Sequence, residues 1–442
     1  MNPATPTEHR KRRDRLMGMM SPGSIAIIPG AVEQRRNRDI QYLFRQDSDF
    51  FYLTGFCEPQ ALLVLIPGRD QGQEILFCAE RDPRKELYDG ERLGPERASQ
   101  VLQVDDAFPI SDMGDILPGL LEGRERIYMT LGEYPERDRD VLGWVAGIRQ
   151  REAGGAKPPG EFVDLKHHLH ELRLVKSKKE IALIRRAVDI TVAGHLRAMQ
   201  ACREGLTEGQ LEAELTYEFM RRGARTPAYP SIVGAGDNAC VLHYVENREA
   251  LFDGELVLID AGCEYQHYAG DVTRTFPVSG QFSDAQREIY EIVLAANEAA
   301  IAVCHPGTPF NQVHETALKV MVEGLLRLGL LSGDVEQLVA TGGYKHLVPH
   351  NTSHWLGIDV HDVGDYQLDD EWRELSPGMV LTVEPGIYFP RHLEQQGIPG
   401  RYLGIGVRIE DDVLITAGGC EVLSSAAPKG LADIEAAIGT AA

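Results

Sequence analysis

The feature that most constrains this 442-residue chain is an apolar run that ends in an acid, Leu256-Val257-Leu258-Ile259-Asp260, followed by Ala261-Gly262. A run without polar alternation predicts a strand buried on both faces. A carboxylate at its end is costly unless it is paired or bound to a cation. Eleven residues on, Gly270-Asp271-Val272-Thr273-Arg274-Thr275 places a second acid at the start of the next strand, and a hairpin brings Asp260 and Asp271 together. Two carboxylates so placed share a proton or share a cation. The second half repeats the theme. Val380-Leu381-Thr382-Val383-Glu384-Pro385-Gly386 puts Glu384 at the end of an apolar strand. Gly406-Val407-Arg408-Ile409-Glu410-Asp411 puts Glu410 in another, with Arg408 on the same face by the two-residue period of a strand. Between the halves lie His346, His350, His354 and His361, four of the 14 histidines.

Each of these residues alone would be unremarked. A single buried aspartate is commonly an ion-pair partner, and a lone histidine is commonly a satisfied core or surface residue. Arg274 and Arg408 neutralise at most one carboxylate each, which leaves a surplus among the four acids. Four acids and one imidazole form a hard, oxygen-rich donor set suited to Mn²⁺, Co²⁺, Fe²⁺ or Zn²⁺. Two divalent cations would offset the four negative charges.

Around these residues the pattern predicts two domains. Ser24–Ile28, Ala61–Ile66, Glu74–Cys78 and Ile127–Leu131 are short, apolar and bounded by Gly, Pro or charge, as strands are. Helical stretches separate them, so residues 1–175 read as a mixed α/β domain. Residues 153–160, rich in Gly and Pro, read as a linker. Capping boxes at Ser177-Lys178-Lys179-Glu180 and Thr207-Glu208-Gly209-Gln210 open two helices, the second capped near Gly223. Strands Leu256–Cys263 and Val272–Val278 follow. A helix from Ser283, another over Phe310–Leu330, and strands Met379–Tyr388 and Gly406–Ile415 complete residues 176–442. Two helices then strands, twice over, is a duplication of pattern without repetition of residues.

Composition excludes several functions. With 67 Asp+Glu against 45 Lys+Arg the net charge is −22, which opposes binding to nucleic acid or an anionic membrane surface. No apolar run reaches the ~18 residues of a membrane span. Seven cysteines without a C-x-x-C pair suit reduced thiols in a cytoplasmic protein. The basic stretch His9–Arg13 has no apolar segment after it and is expected to be a solvated first helix. Gly234-Ala235-Gly236-Asp237-Asn238-Ala239 matches a dinucleotide fingerprint, but strand-like Cys240–Tyr244 follows where a helix must open, so a turn between strands is expected. His350 and His354 have the spacing of a zinc protease helix, yet Asn351 stands where that mechanism needs Glu. There is neither a phosphate-binding loop nor a G-x-S-x-G elbow.

The runs Ser231–Ala239, Ile259–Gly262, Ala269–Thr275, His354–Asp362, Val383–Gly386 and Val407–Asp412, with Arg45–Phe50 near the start, resemble bacterial aminopeptidase P of the pita-bread metallopeptidase superfamily. The resemblance implies a creatinase-like α/β N-terminal domain and a pita-bread C-terminal domain with pseudo-twofold symmetry, an α/β (α+β) fold. It implies hydrolysis of the first peptide bond of peptides with proline second, by a hydroxide held between two metals, most readily Mn²⁺. Asp271 and Glu410 would bridge the metals, Asp260 complete one, and His354 with Glu384 the other. Glu384 would shuttle the proton, His361 stabilise the oxyanion, and Arg408 orient a ligand. His243, His350 and Tyr229 would line the proline pocket, closed by Tyr88 of a neighbouring subunit in a homodimer or homotetramer. One departure is Asn351, where the family commonly has Gly after the histidine; Asn tolerates the left-handed backbone well. The nearest alternative is a prolidase, which takes only Xaa-Pro dipeptides.

Overall fold

The computed structural model describes residues 6–440. It comprises two units, Met1–Arg173 and Leu174–Ala442.

The first unit is built on a six-stranded sheet. Its strands run Asp106–Pro109, Glu74–Cys78, Leu62–Leu65, Ser24–Pro29, Arg126–Tyr128 and Glu161–Val163 from edge to edge. Leu62–Leu65 is antiparallel to both its neighbours, and the outer pairs are parallel. Ile25, Ile27, Val64 and Phe77 pack against Leu117, Leu121, Val141 and Val145 from the helices Met113–Leu121 and Pro135–Arg149. The Gly/Pro stretch 153–160 lies inside this unit, because the strand after it pairs with Arg126–Tyr128.

The basic first helix, Pro6–Met19, departs from expectation. His9, Arg12 and Arg13 are buried rather than solvated. Arg13 donates to the Glu74 carboxylate at 2.9 Å and to the carbonyls of Leu53 and Leu102. Arg12 donates to the Tyr52 carbonyl and lies 4.1 Å from that ring's centroid. These buried guanidiniums are tolerated because their terminal nitrogens are hydrogen-bonded and a counter-charge is present, Glu74 for Arg13 and Glu8 for Arg12.

In the second unit both expected capping boxes form, at Ser177 and Thr207, and the helix from Ser283 opens with a third. They open the helices Lys178–Ala201, Glu208–Arg221 and Asp284–Ala302, and Phe310–Arg327 is the fourth. Each helix pair is followed by strands. The first set is Ile232–Ala235, Leu256–Ala261 and Val272–Pro277 in one antiparallel sheet. The second set differs from expectation. Met379–Tyr388 is two strands, Val380–Val383 and Gly386–Phe389, and Gly406–Ile415 is also two, Ile405–Arg408 and Asp411–Thr416. Val380–Val383 pairs with Asp411–Thr416, whereas Gly386–Phe389 pairs with Ile405–Arg408. Both chains change partner at the same level. Pro385, with no N–H to give a ladder, sits at one break. The segment Cys240–Tyr244 is not a strand either; Gly236–Cys240 is a short 3₁₀ turn leading into a loop. Helices and strands share a core that includes Ile190, Phe219, Ile259, Phe276, Val293, Leu325 and Ile409. Among the described residues no helix is long and apolar enough to cross a membrane.

Candidate active site

The two strand breaks create the site. Glu384 and Glu410 lie at the breaks rather than within strands, and both line one cleft with Asp260 and Asp271. Asp260 comes from the strand Leu256–Ala261, opposite Thr273 in the next strand. Asp271 immediately precedes that strand. The chain crosses itself there: a Cβ on Gly262 would fall on the Gly270 carbonyl, so glycine is required by close approach.

Three of the four acids, Asp260, Asp271 and Glu410, are held by specific donors. Arg408 Nη2 donates to Asp260 Oδ2 at 2.6 Å. The Tyr229 hydroxyl lies 2.6 Å from Asp260 Oδ1 and also within hydrogen-bonding reach of Asp271 Oδ1. Thr273 Oγ1 donates to Glu410 Oε2 at 2.7 Å, and the Asp271 amide donates to Asp412 Oδ2 at 3.0 Å. Behind Glu410, its carbonyl accepts from Arg274 Nη1 at 2.6 Å. Arg274 in turn pairs with the fully buried Asp411, which also accepts from Lys429 and Ser424 at 2.7 Å.

His354 completes the cluster. Its Nε2 is 3.4 Å from Asp271 Oδ2 and 3.6 Å from Glu384 Oε1. Its Nδ1 faces the Trp355 carbonyl at 2.9 Å, which can only accept, so Nδ1 carries a hydrogen and a neutral ring presents its lone pair at Nε2. One ligand atom each from Asp271, His354 and Glu410 lies within 4.8 Å of the others.

The charges are unbalanced. Burial, together with the neighbouring carboxylates, pushes Glu410 well above the usual carboxylate range and Glu384 up to about 7, and raises Asp271. Burial alone would lower His354, but the hydrogen bond to Asp271 and the Glu384 charge hold it up at about 9. Arg408 and a protonated His354 supply two positive charges for the four acids. A deficit of that size, with a directed imidazole lone pair, fits divalent cations.

The cluster opens into a cleft of about 950 Å³ lined by residues of the second unit, including His243, His350, His361 and Tyr229. The His361 ring meets that of His354 edge-on at 4.4 Å. A buried Lys176–Asp362 pair at 2.9 Å fixes the turn after His361. His243 is exposed on the loop after the 3₁₀ turn. His350 is held by a relay. Arg408 Nη1 donates to the Tyr388 hydroxyl at 2.7 Å, that hydroxyl donates to His350 Nε2 at 2.8 Å, and Nδ1 donates to the Asn351 carbonyl at 2.7 Å. Burial and the Arg408 charge lower His350 to about 4, so it is neutral near pH 7. Gly386 makes room for the relay, since a Cβ there would meet Tyr388 Oη and His350 Nε2.

His346 is exposed and does not line the cleft. Tyr88 is 85% exposed on the helix Pro83–Asp89 of the first unit. Sequence reasoning missed Tyr388, His314, Tyr366 and Trp372. Tyr388 had a signal, since strand period two puts it on the face of Gly386, beside Glu384.

Residues 182–417 match metallopeptidase family M24, and residues 9–128 match the aminopeptidase P N-terminal domain. The chain is 47% identical to the Xaa-Pro aminopeptidase of Escherichia coli over 97% of both chains. The chain belongs to the aminopeptidase P family of M24 peptidases. The structure of the Pseudomonas aeruginosa aminopeptidase PepP superposes with a TM-score of 0.97 at 53% identity, covering 99% of both chains. Escherichia coli aminopeptidase P with the inhibitor Pro-Leu superposes with a TM-score of 0.95 at 46% identity, covering 98% of both. The fold is thus mixed α/β, with an aminopeptidase P N-terminal domain and an M24 pita-bread domain. The twice-used helix pair with strands is the pseudo-twofold of that domain.

Proposed function

We propose that the chain is a Xaa-Pro aminopeptidase that removes the first residue of peptides whose second residue is proline. The observation that carries the reading is the convergence of Asp260, Asp271, His354, Glu384 and Glu410 in one cleft, in a chain similar over its whole length to aminopeptidases P. Those five residues, Asp260, Asp271, His354, Glu384 and Glu410, would hold two divalent cations, most readily Mn²⁺. When bound, such cations polarise the scissile carbonyl and lower the pKa of the attacking water.

The protein's own groups do the rest. Glu384 takes the water's proton on a carboxylate oxygen and passes it to the proline nitrogen. Burial lowers His361, which is therefore neutral near pH 7 and donates an N–H to the developing oxyanion. Arg408 fixes the orientation of Asp260 and, through Tyr388, that of His350. Proline's nitrogen has no hydrogen to donate, so its pocket needs shape rather than a backbone acceptor. His243, His350 and Tyr229 supply that shape, and Tyr88 of a neighbouring copy closes it in a homodimer or homotetramer. We assign residues 1–175 to the N-terminal domain and 176–442 to the catalytic domain of a cytoplasmic enzyme.

The test is a peptide-length series, X-Pro, X-Pro-X and X-Pro-X-X, with Mn²⁺ present. The tri- and tetrapeptides should be hydrolysed at the first bond. Preference for the dipeptide would make the chain a prolidase.

A further inference from the structure

An exopeptidase that removes one residue holds its substrate's amino end against the acidic cluster, so everything after proline leaves through the cleft mouth. Side chains that line the cleft yet remain half-exposed are therefore placed to meet the third residue. Trp372 is one, at 43% exposed. It sits on a two-stranded hairpin, Gln367–Leu368 with Glu371–Trp372, whose register pairs Gln367 with Trp372. The turn is tight: Asp369 and Asp370 both have positive φ, 48° and 66°, as a two-residue hairpin loop demands.

The base of the hairpin is pinned. The Arg373 amide donates to the Tyr366 carbonyl at 2.9 Å, Arg373 Nε donates to the Asp365 carbonyl at 2.6 Å, and the Arg373 carbonyl accepts from the Phe310 amide at 2.9 Å. Phe310 and Tyr366 also line the cleft, with ring centroids 4.7 Å apart. Buried Trp355 backs both, stacked on Tyr366 at 5.4 Å and 4.6 Å from Phe310. The hairpin that carries Trp372 is thus anchored by its backbone to this aromatic block, which limits the ordering left to do when a ligand arrives.

We propose that Trp372 is a specificity-determining residue: with Phe310 it forms a subsite for the side chain after proline and selects large apolar or aromatic groups there. This rests on the peptidase reading above. Two aromatic side chains lining one subsite favour Phe over Ala by about fivefold in kcat/KM.

The experiment measures kcat/KM of the full-length Mn²⁺-loaded protein on Ala-Pro-Ala, Ala-Pro-Phe and Phe-Pro-Ala, for wild type, Trp372→Ala and Trp372→Phe. Cleavage of Ala-Pro-Ala by wild type tests the peptidase reading separately. The wild-type preference for Ala-Pro-Phe over Ala-Pro-Ala should disappear in Trp372→Ala and persist in Trp372→Phe. The Phe-Pro-Ala to Ala-Pro-Ala ratio should be unchanged in all three. An equal third-residue preference in wild type and Trp372→Ala overturns the proposal, as does a change confined to the first-residue ratio.

Discussion

Lowering the pH should release the metal from this site more steeply than a typical carboxylate site allows. Without metal, His354 is held at about 9 and Glu384 at about 7. Metal ligands must be deprotonated, so each proton competes with the cation. At pH 7 the His354 proton weakens binding by about 2 log units and the Glu384 proton by about 0.3; at pH 6 the penalties become about 3 and about 1. Because the Glu384 charge itself helps hold the His354 proton, the two penalties do not simply add, and apparent affinity should fall at least about tenfold between pH 7 and pH 6. Glu410 and Asp271 are also raised, and their protons steepen the fall. The sign for folding is opposite in the chelated protein. Both folded values exceed the ordinary ones, so this stabilisation is fully present below about 4.5 for Glu384 and 6.5 for His354. It is lost as pH rises through about 7 and about 9. Calorimetric titration of Mn²⁺ at pH 6 and pH 7 measures the first effect. Thermal melts with and without chelator between pH 6 and pH 9 measure the second, with chelated protein melting earlier and Mn²⁺-loaded protein later as pH rises. An apparent affinity that moves less than about threefold between pH 6 and pH 7 would refute the assignment of His354 as a ligand that must lose a proton.

Glu384→Ala should cost about 10²–10⁴ in kcat, with circular dichroism unchanged; activity within tenfold of wild type would remove Glu384 from proton transfer. Tyr388→Phe breaks the relay from Arg408 to His350 and should lower kcat/KM about tenfold at unchanged metal content, read by kinetics and elemental analysis together. Asp411→Asn removes the charge that faces Arg274 and Lys429 in a fully buried site, and should cost about 3–5 kcal/mol, read as a lower melting temperature. Gly262→Ala forces the Gly270 carbonyl aside and should yield protein that melts early or binds little metal, even though it adds one methyl group.

What was legible in the chain is what a short stretch decides by itself. A capping box joins residues three apart, so the helices after Ser177, Thr207 and Ser283 could be placed from their first turn. Asp260 was legible because the strand before it is apolar and a carboxylate at such an edge must be paired or bound to a cation, and Asp271 because it opens the next strand of the same hairpin. The failures come from partners far apart in sequence. Arg13 is buried because Glu74, 61 residues away, meets its guanidinium, and nothing in His9–Arg13 announces that.

The second pair of acids makes the same point more sharply. Met379–Tyr388 and Gly406–Ile415 each read as one strand, since apolar periodicity reports burial and not the identity of the partner. Each is two strands that exchange partners, and the exchange falls at Glu384 in one chain and at Glu410 in the other. A strand interior would have spent the backbone of both acids on a ladder. At the break their amides instead reach outside the two strand pairs: Glu384 donates to the Thr352 carbonyl at 2.7 Å, two residues before His354, and Glu410 to the Thr273 carbonyl at 3.1 Å, two residues after Asp271. Glu410 of the second half is thereby tied by backbone to the first-half strand that follows Asp271, and Glu384 to the segment that carries His354. The irregularity that periodicity could not show is what brings residues from opposite ends of the domain within reach of the same cations.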